Sequence, residues 1–312
     1  MTASITLKQS TGDIQIDSLL IEIITEYEAE LLGCVSGYYV MGSYADGSGV
    51  GSSDLDVCLV IGDCQLGERE RARVLAEMWK AKSQVELDIE IEEKEHLSQG
   101  IAPNFKYGSI WLYGEDIRQD IPLVPLRVWT RDRMHSSYWR TVQLFGRSTP
   151  VCMPLEYPDP QGEFFGYDAR LLRLADGREV RCTRDLIRLV GWSATGLLAW
   201  KTGVYVARKK DCHRLYQEAF ADEWGQLLQD IYEKCRVRWD YLLPEDEVER
   251  QELRELCRRT LGFENYFLRM YKEFLLEELR VDDAEGRRWA LWALGKLPFG
   301  DQEVEVAMGE RL

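Results

Sequence analysis

Between Gly42 and Val60 the chain reads GSYADGSGVGSSDLDVCLV: a Gly-Ser pair, a glycine-rich stretch, then Asp54 and Asp56 two residues apart. Gly37 to Met41, rich in aromatic and β-branched residues, leads into the pair, and the apolar run Val57 to Ile61 follows the second aspartate. The pattern reads as strand, glycine-rich turn, strand. Asp54 and Asp56 then project to one face of the second strand. Two carboxylates on one face repel unless a cation sits between them. Mg²⁺ suits that place, because it takes oxygen ligands and shares its shell with substrate phosphates. Small residues at Gly42 and Ser43 let backbone N–H groups approach a phosphate closely. A phosphate cradle and a metal site therefore lie within one short segment.

The elements around it must hold that segment in place. Asp17 to Leu32 repeats apolar residues at helical spacing, with Asp17 or Ser18 as cap. A second helix is expected over Glu68 to Ser83. Val85-Glu86-Leu87-Asp88-Ile89-Glu90-Ile91 alternates apolar and acidic residues, a strand with Glu86, Asp88 and Glu90 on one face. Glu95 to Gly100 reads as a short helix, and Ile110 to Gly114 as a brief strand ending at glycine. Ile121 to Pro125 marks a boundary, since two prolines interrupt regular structure. A helix over Thr130 to Phe145 and a proline-rich loop over Ser148 to Gly166 follow. Leu171 to Cys182 reads as a hairpin turning at Ala175-Asp176-Gly177. Beyond Thr183, a capping residue, the pattern is helical nearly throughout, and Asp283 to Leu294 reads as the last helix. The expected class is α+β, with residues 1–125 as a small mixed sheet with helices and residues 126–312 as a mainly helical bundle.

Composition narrows the function. The chain has 312 residues, 45% of them hydrophobic, enough for two ordinary cores and too many for disorder. Its formal net charge of −15 repels a phosphate backbone, which disfavours nucleic acid as partner and favours a small basic molecule. Glu90, Glu92, Glu93 and Glu95 are candidates to line a cleft for it. The three histidines lie far apart, so a histidine zinc site is not expected and general-base work falls to a carboxylate. The eight cysteines form no C-x-x-C pair, Met1 to Ser10 has no apolar signal core, and no run is long enough to span a membrane. The expectation is a cytoplasmic protein with reduced thiols. The six tryptophans from Trp192 to Trp292 fall mostly at helical spacing and read as core.

The Gly42-Ser43 pair with Asp54 and Asp56 resembles the signature of the DNA-polymerase-β-like nucleotidyltransferase superfamily. The later segments Thr183-Arg184-Asp185-Leu186, Trp192 to Thr195, Gly203 to Lys210 and Tyr216 resemble the helical domain of aminoglycoside nucleotidyltransferases. The resemblance implies a nucleotidyltransferase fold for residues 1–125. It implies Mg²⁺ on Asp54 and Asp56, a nucleoside triphosphate (ATP or another) held by Gly42 and Ser43, and a third carboxylate from the Val85 strand. Asp88 is the candidate, as metal ligand or as base for the attacking hydroxyl, with Glu86 as the alternative. The family brings a lysine to the phosphates from a Gly-x-x-x-Ser-Lys-like stretch. Here Arg208 stands in the serine's place, which leaves Lys209 and Lys210 as equal contenders. The implied activity is adenylyl transfer to a hydroxyl of a small basic acceptor such as an aminoglycoside, and so antibiotic resistance. The alternatives are modification of tRNA or a partner protein in a toxin–antitoxin or defence system, or an inactive binding module. Oligomeric state has no signature in the sequence.

Overall fold

The computed structural model describes residues 5–31, 33–174, 177–296, 300 and 302–309. Its elements run α1 (Ile14–Glu30), β1 (Val35–Met41), α2 (Gly42–Asp46), β2 (Leu55–Ile61), α3 (Leu66–Lys82), β3 (Leu87–Glu93), α4 (Lys94–Leu97), α5 (Pro103–Gly108) and β4 (Ile110–Gly114). Then come α6 (Leu126–Trp139) with a π-helical continuation over Arg140–Leu144, β5 (Leu171–Arg173), β6 (Glu179–Arg181) and α7 (Arg184–Thr202). A 3₁₀ turn at Lys209–Asp211 precedes α8 (Cys212–Ala219), α9 (Trp224–Asp230), a second π-helical stretch (Ile231–Arg238), α10 (Glu247–Arg280), α11 (Ala284–Lys296) and α12 (Gln302–Gly309). The fold is α+β, a small mixed sheet with helices followed by a mainly helical region. The chain divides into two compact units. One holds residues 1–125 with Arg173–Arg178 and Val206–Asp211; the other holds the remainder.

In the first unit the strand order is β3-β2-β1-β4, with β2 antiparallel to β1 and parallel to β3. Period-two alternation gives the sheet two unlike faces. Val57, Leu59, Leu87 and Ile89 pack with Leu20, Ile23, Ile24 and Tyr27 of α1 and Leu75, Ala76 and Trp79 of α3. The buried Tyr27 hydroxyl finds its acceptor in the Ala72 carbonyl at 3.0 Å. On the other face Tyr39, Cys58 and Val60 make a smaller core with Ile101, Phe105, Ile117 and Ile121. Burial pushes the Cys58 thiol well up, with Glu90 and Glu92 adding to it.

Some local expectations fail for identifiable reasons. Asp13, not Asp17 or Ser18, caps α1, accepting from the Gln15 and Ile16 N–H groups. Asp17 is occupied by the Ser10 hydroxyl at 2.5 Å and the Thr11 N–H at 2.9 Å. Gly42 does not open a turn but the five-residue helix α2. β3 begins at Leu87, so Val85 and Glu86 lie ahead of it. Cys34 and Cys64 are joined by a disulfide, Cα atoms 5.2 Å apart, rather than standing as separate thiols. The antiparallel pairing of Val35 with Ile61 brings these flanking residues together, a proximity invisible in their spacing.

In the second unit, Thr183 makes no side-chain cap for α7. Its hydroxyl donates instead to the Tyr241 carbonyl at 3.0 Å. α12 follows the helix read as last. Of the predicted hairpin turn, Ala175 and Asp176 lie outside the described residues, as does Leu32 of the first helix; β5 and β6 form the expected two-stranded sheet. α6 and α7 pack tightly at Gly196, where a Cβ would stand 2.9 Å from Met134 Sδ. Buried charges are paired. Arg147 holds both oxygens of Glu264, at 2.7 and 2.9 Å, and the Tyr167 hydroxyl donates to the same carboxylate at 2.5 Å. Arg131 spans Glu278 and Asp283 at 2.7 and 2.6 Å. Trp224 and Trp289 pack against Phe263 and Phe274 respectively.

Candidate active site

Asp56 lies on the Cys58 face of β2, beyond the smaller core, and Asp54 directly precedes the strand. Both are partly buried, whereas Ser53 and Leu55 beside them are fully buried. Leu55 pairs with Leu87 and Asp56 with Asp88 across the parallel β2–β3 ladder. The Leu55 N–H donates to the Glu86 carbonyl at 2.8 Å. In-register parallel neighbours share a face, so Asp88, Glu90 and Glu92 extend the acidic surface begun by the two aspartates.

Met41, the last residue of β1, pairs with Asp56. The next residue, Gly42, has φ +69°, and a Cβ on it would stand 2.3 Å from Asp56 Oδ2. Only glycine accepts both the left-handed backbone and a carboxylate lying against its Cα. The Gly-Ser pair and the Asp-x-Asp are thus in direct contact. Ser43 follows in the first turn of α2, on which Met41 places no side-chain cap. At the far end of α2, Asp46 accepts from the Ser48 N–H at 3.0 Å and the Ser48 hydroxyl at 2.5 Å. The Lys210 ammonium donates to the Asp46 carbonyl and lies 3.9 Å from its carboxylate. Of the two candidate lysines, Lys210 is therefore tied to the glycine-rich segment. Lys209, its neighbour in the 3₁₀ turn, is exposed.

The third carboxylate is less closely gathered. Asp88 is exposed and leans toward Lys80 of α3, 3.3 Å away. Glu86 is also exposed. Among the described residues, Asp54, Asp56 and Asp88 do not bring three ligand atoms within 4.8 Å of one another; Cys34, Cys64 and Glu68 do, but the two sulfurs there are bonded to each other. The donor set at Asp54 and Asp56 remains right for a hard cation, since it offers carboxylate oxygens on one face above a glycine. Electrostatics single out Glu90. Glu90 is exposed at the surface, yet partial desolvation, then Glu92 by charge and by hydrogen bond, then Asp88 and Asp56, push its carboxyl up to about 7. Alternation places Glu90 and Glu92 on one face of β3, whereas the crowding of Glu90 by Asp56 depends on the ladder register. Farther along, Glu93 is paired with Arg69 at 2.8 Å.

No protein-family model matches the chain, and no curated protein does. Among solved structures it is similar to a spectinomycin adenyltransferase AAD(9) from Enterococcus faecialis, determined with ATP and spectinomycin. The two share 14% identity over 80% of this chain and 98% of that one, with a TM-score of 0.46. Among the described residues, no helix is long and apolar enough to cross a membrane.

Proposed function

We propose that the chain is a Mg²⁺-dependent nucleotidyltransferase of the DNA-polymerase-β-like kind, moving AMP from ATP onto a hydroxyl of a small basic acceptor such as an aminoglycoside, with pyrophosphate as the leaving group. The observation that carries the reading is the seating of the Asp56 carboxylate against Gly42. It sets the glycine that would face a phosphate beside a carboxylate that would hold a cation, as transfer from a triphosphate requires. Residues 1–125 would form the nucleotide-binding domain and residues 126–312 a mainly helical second domain.

Asp54 and Asp56 would hold the Mg²⁺, with Asp88 as a further ligand. When bound, the ion neutralises charge on phosphoryl oxygens of the nucleotide. Gly42 and the first-turn N–H groups after it orient the β- and γ-phosphates, helped by the Ser43 hydroxyl. Lys210, docked on α2, or Lys209 places positive charge at the triphosphate. Asp88 or Glu86 accepts the proton of the attacking hydroxyl, because a carboxylate on the neighbouring strand can face the reacting end of the nucleotide.

Titration calorimetry with ATP, Mg²⁺ and a panel of aminoglycosides, followed by mass spectrometry of the acceptor, tests this. Expected are Mg²⁺-dependent ATP binding and an acceptor heavier by one adenylyl group, both lost in Asp56→Asn. Metal-independent ATP binding, or full transfer by Asp56→Asn, overturns the assignment of the site.

A further inference from the structure

The strap Val206–Asp211 belongs to the first unit, although the chain on both sides of it belongs to the second. Contacts at Lys210 and at Ala207 fasten it. The Lys210 ammonium donates to the Asp46 carbonyl at the end of α2. The Ala207 carbonyl sits against Gly108, the buried last residue of α5. A Cβ on Gly108 would stand 2.6 Å from the Ala207 carbonyl oxygen and 3.5 Å from its carbon. From there the strap turns, the Asp211 N–H donating to the Arg208 carbonyl at 3.1 Å. Lys210 is therefore carried on a turn that begins one residue after the seat at Gly108.

Glycine is not needed at position 108 for its backbone. Its φ is not positive, and it ends a helix, where alanine is the better helix former. What glycine supplies is the missing Cβ, which lets two backbones meet. The atoms that a Cβ would strike are backbone, so no side-chain rotation relieves the clash. α5 itself is held from below. Phe105 packs on Tyr39 in the smaller core, ring centres 4.9 Å apart. The Lys106 ammonium donates to the Ile121 carbonyl, and the Ser109 hydroxyl donates to the Phe105 carbonyl at 2.5 Å. When a Cβ is added, the strap is the part that yields.

We infer that Gly108 is a positioning residue: by seating the Ala207 carbonyl on α5 it fixes the strap and holds Lys210 at α2. Its effect on turnover rests on the reading of Gly42 to Asp56 as a nucleotide site; its effect on Lys210 rests on the contacts alone.

The test compares wild type, Gly108→Ala, Lys210→Met and the double variant in the full chain. Amine labelling without nucleotide, read by peptide mass spectrometry, reports the docking of Lys210, with Lys201 of the second unit as internal reference. Gly108→Ala should raise the labelling rate of Lys210 at least about threefold relative to Lys201. Asp46→Asn, which weakens the fastening at Lys210 and leaves α5 untouched, should raise it as well. In initial-rate kinetics, Gly108→Ala should raise the KM for ATP at least about fivefold with kcat within about threefold, as loss of a binding group does. Added to Lys210→Met it should change KM little further, because both act through one side chain. A merely structural role would lower the melt and leave Lys210 labelling and the KM as in wild type. Unchanged Lys210 labelling in Gly108→Ala or in Asp46→Asn, or a KM effect that adds in full to that of Lys210→Met, overturns the inference. Raised labelling in both variants of a chain whose wild type neither binds ATP nor transfers AMP supports the seat and overturns the nucleotidyl-transfer reading instead.

Discussion

Gly42→Ala separates what the cradle does for the fold from what it does for chemistry. The alanine must adopt φ near +69°, which costs an L-residue roughly 1–2 kcal/mol. Its Cβ would stand 2.3 Å from Asp56 Oδ2. Ordinary van der Waals contact is near 3.5 Å, so the carboxylate must retreat by roughly 1 Å. The atom in the way ends a side chain that can rotate, and the backbone is not blocked, so the stability cost stays near the conformational term. In a two-unit protein of this size, melting should fall by only about 2–8 °C.

The cost to catalysis is larger. If Asp56 ligates the ion as proposed, displacing its carboxylate by about 1 Å misplaces whatever it holds, which is worth about a hundredfold in rate. Initial rates of adenylyl transfer over a grid of ATP and Mg²⁺, read beside a thermal melt, measure both effects. Asp56→Asn supplies the control. Once that side chain can no longer act as a charged ligand, adding Gly42→Ala should lower the rate little further, because the two changes act through one contact. If Gly42→Ala turns over within about threefold of wild type, or if its loss adds in full to that of Asp56→Asn, the reasoning from this contact is refuted.

Asp88→Ala should lower turnover far more than ATP affinity, and Glu86→Gln should be milder; the reverse order in steady-state kinetics exchanges the two roles. Lys210→Met should raise the KM for ATP, since Lys210 docks on the Asp46 carbonyl at the end of α2; an unchanged KM in steady-state kinetics would remove it from the phosphate site. Glu90 gives a pH signature in metal-free protein. Its folded carboxyl is pushed up to about 7 by partial desolvation, Glu92, Asp88 and Asp56, above the ordinary unfolded value. The folded state therefore binds the extra proton, and stability falls as pH rises through that window. Melts at pH 5 and pH 8 should show a larger drop for wild type than for Glu90→Gln, and parallel profiles would contradict the assigned crowding.

What the sequence made legible follows from how local each signal is. Asp54 and Asp56 needed only a two-residue period on one strand, and the alternation of β3 put Asp88 and Glu90 on the matching face. The Gly42–Asp56 contact needed the pairing of Met41 with Asp56, a register that links residues fifteen apart. The docking of Lys210 could not be read from spacing, because it rests on a long-range contact with Asp46. Capping failed for a related reason. Asp17 and Thr183 are good capping types, but each spends its side chain on a partner outside its own helix turn, Ser10 in one case and the Tyr241 carbonyl in the other. Net charge says least about the second unit. A total of −15 is a sum over surfaces, and it conceals Arg133 and Arg140, aligned by helical spacing along α6 and its continuation and lying over the Trp192 ring of α7. The interval of seven residues was present in the sequence; what was missing was the packing at Gly196 that sets one helix face against the other. Charge sums therefore describe the whole chain, whereas periodicity plus one close helix contact locates the exceptions.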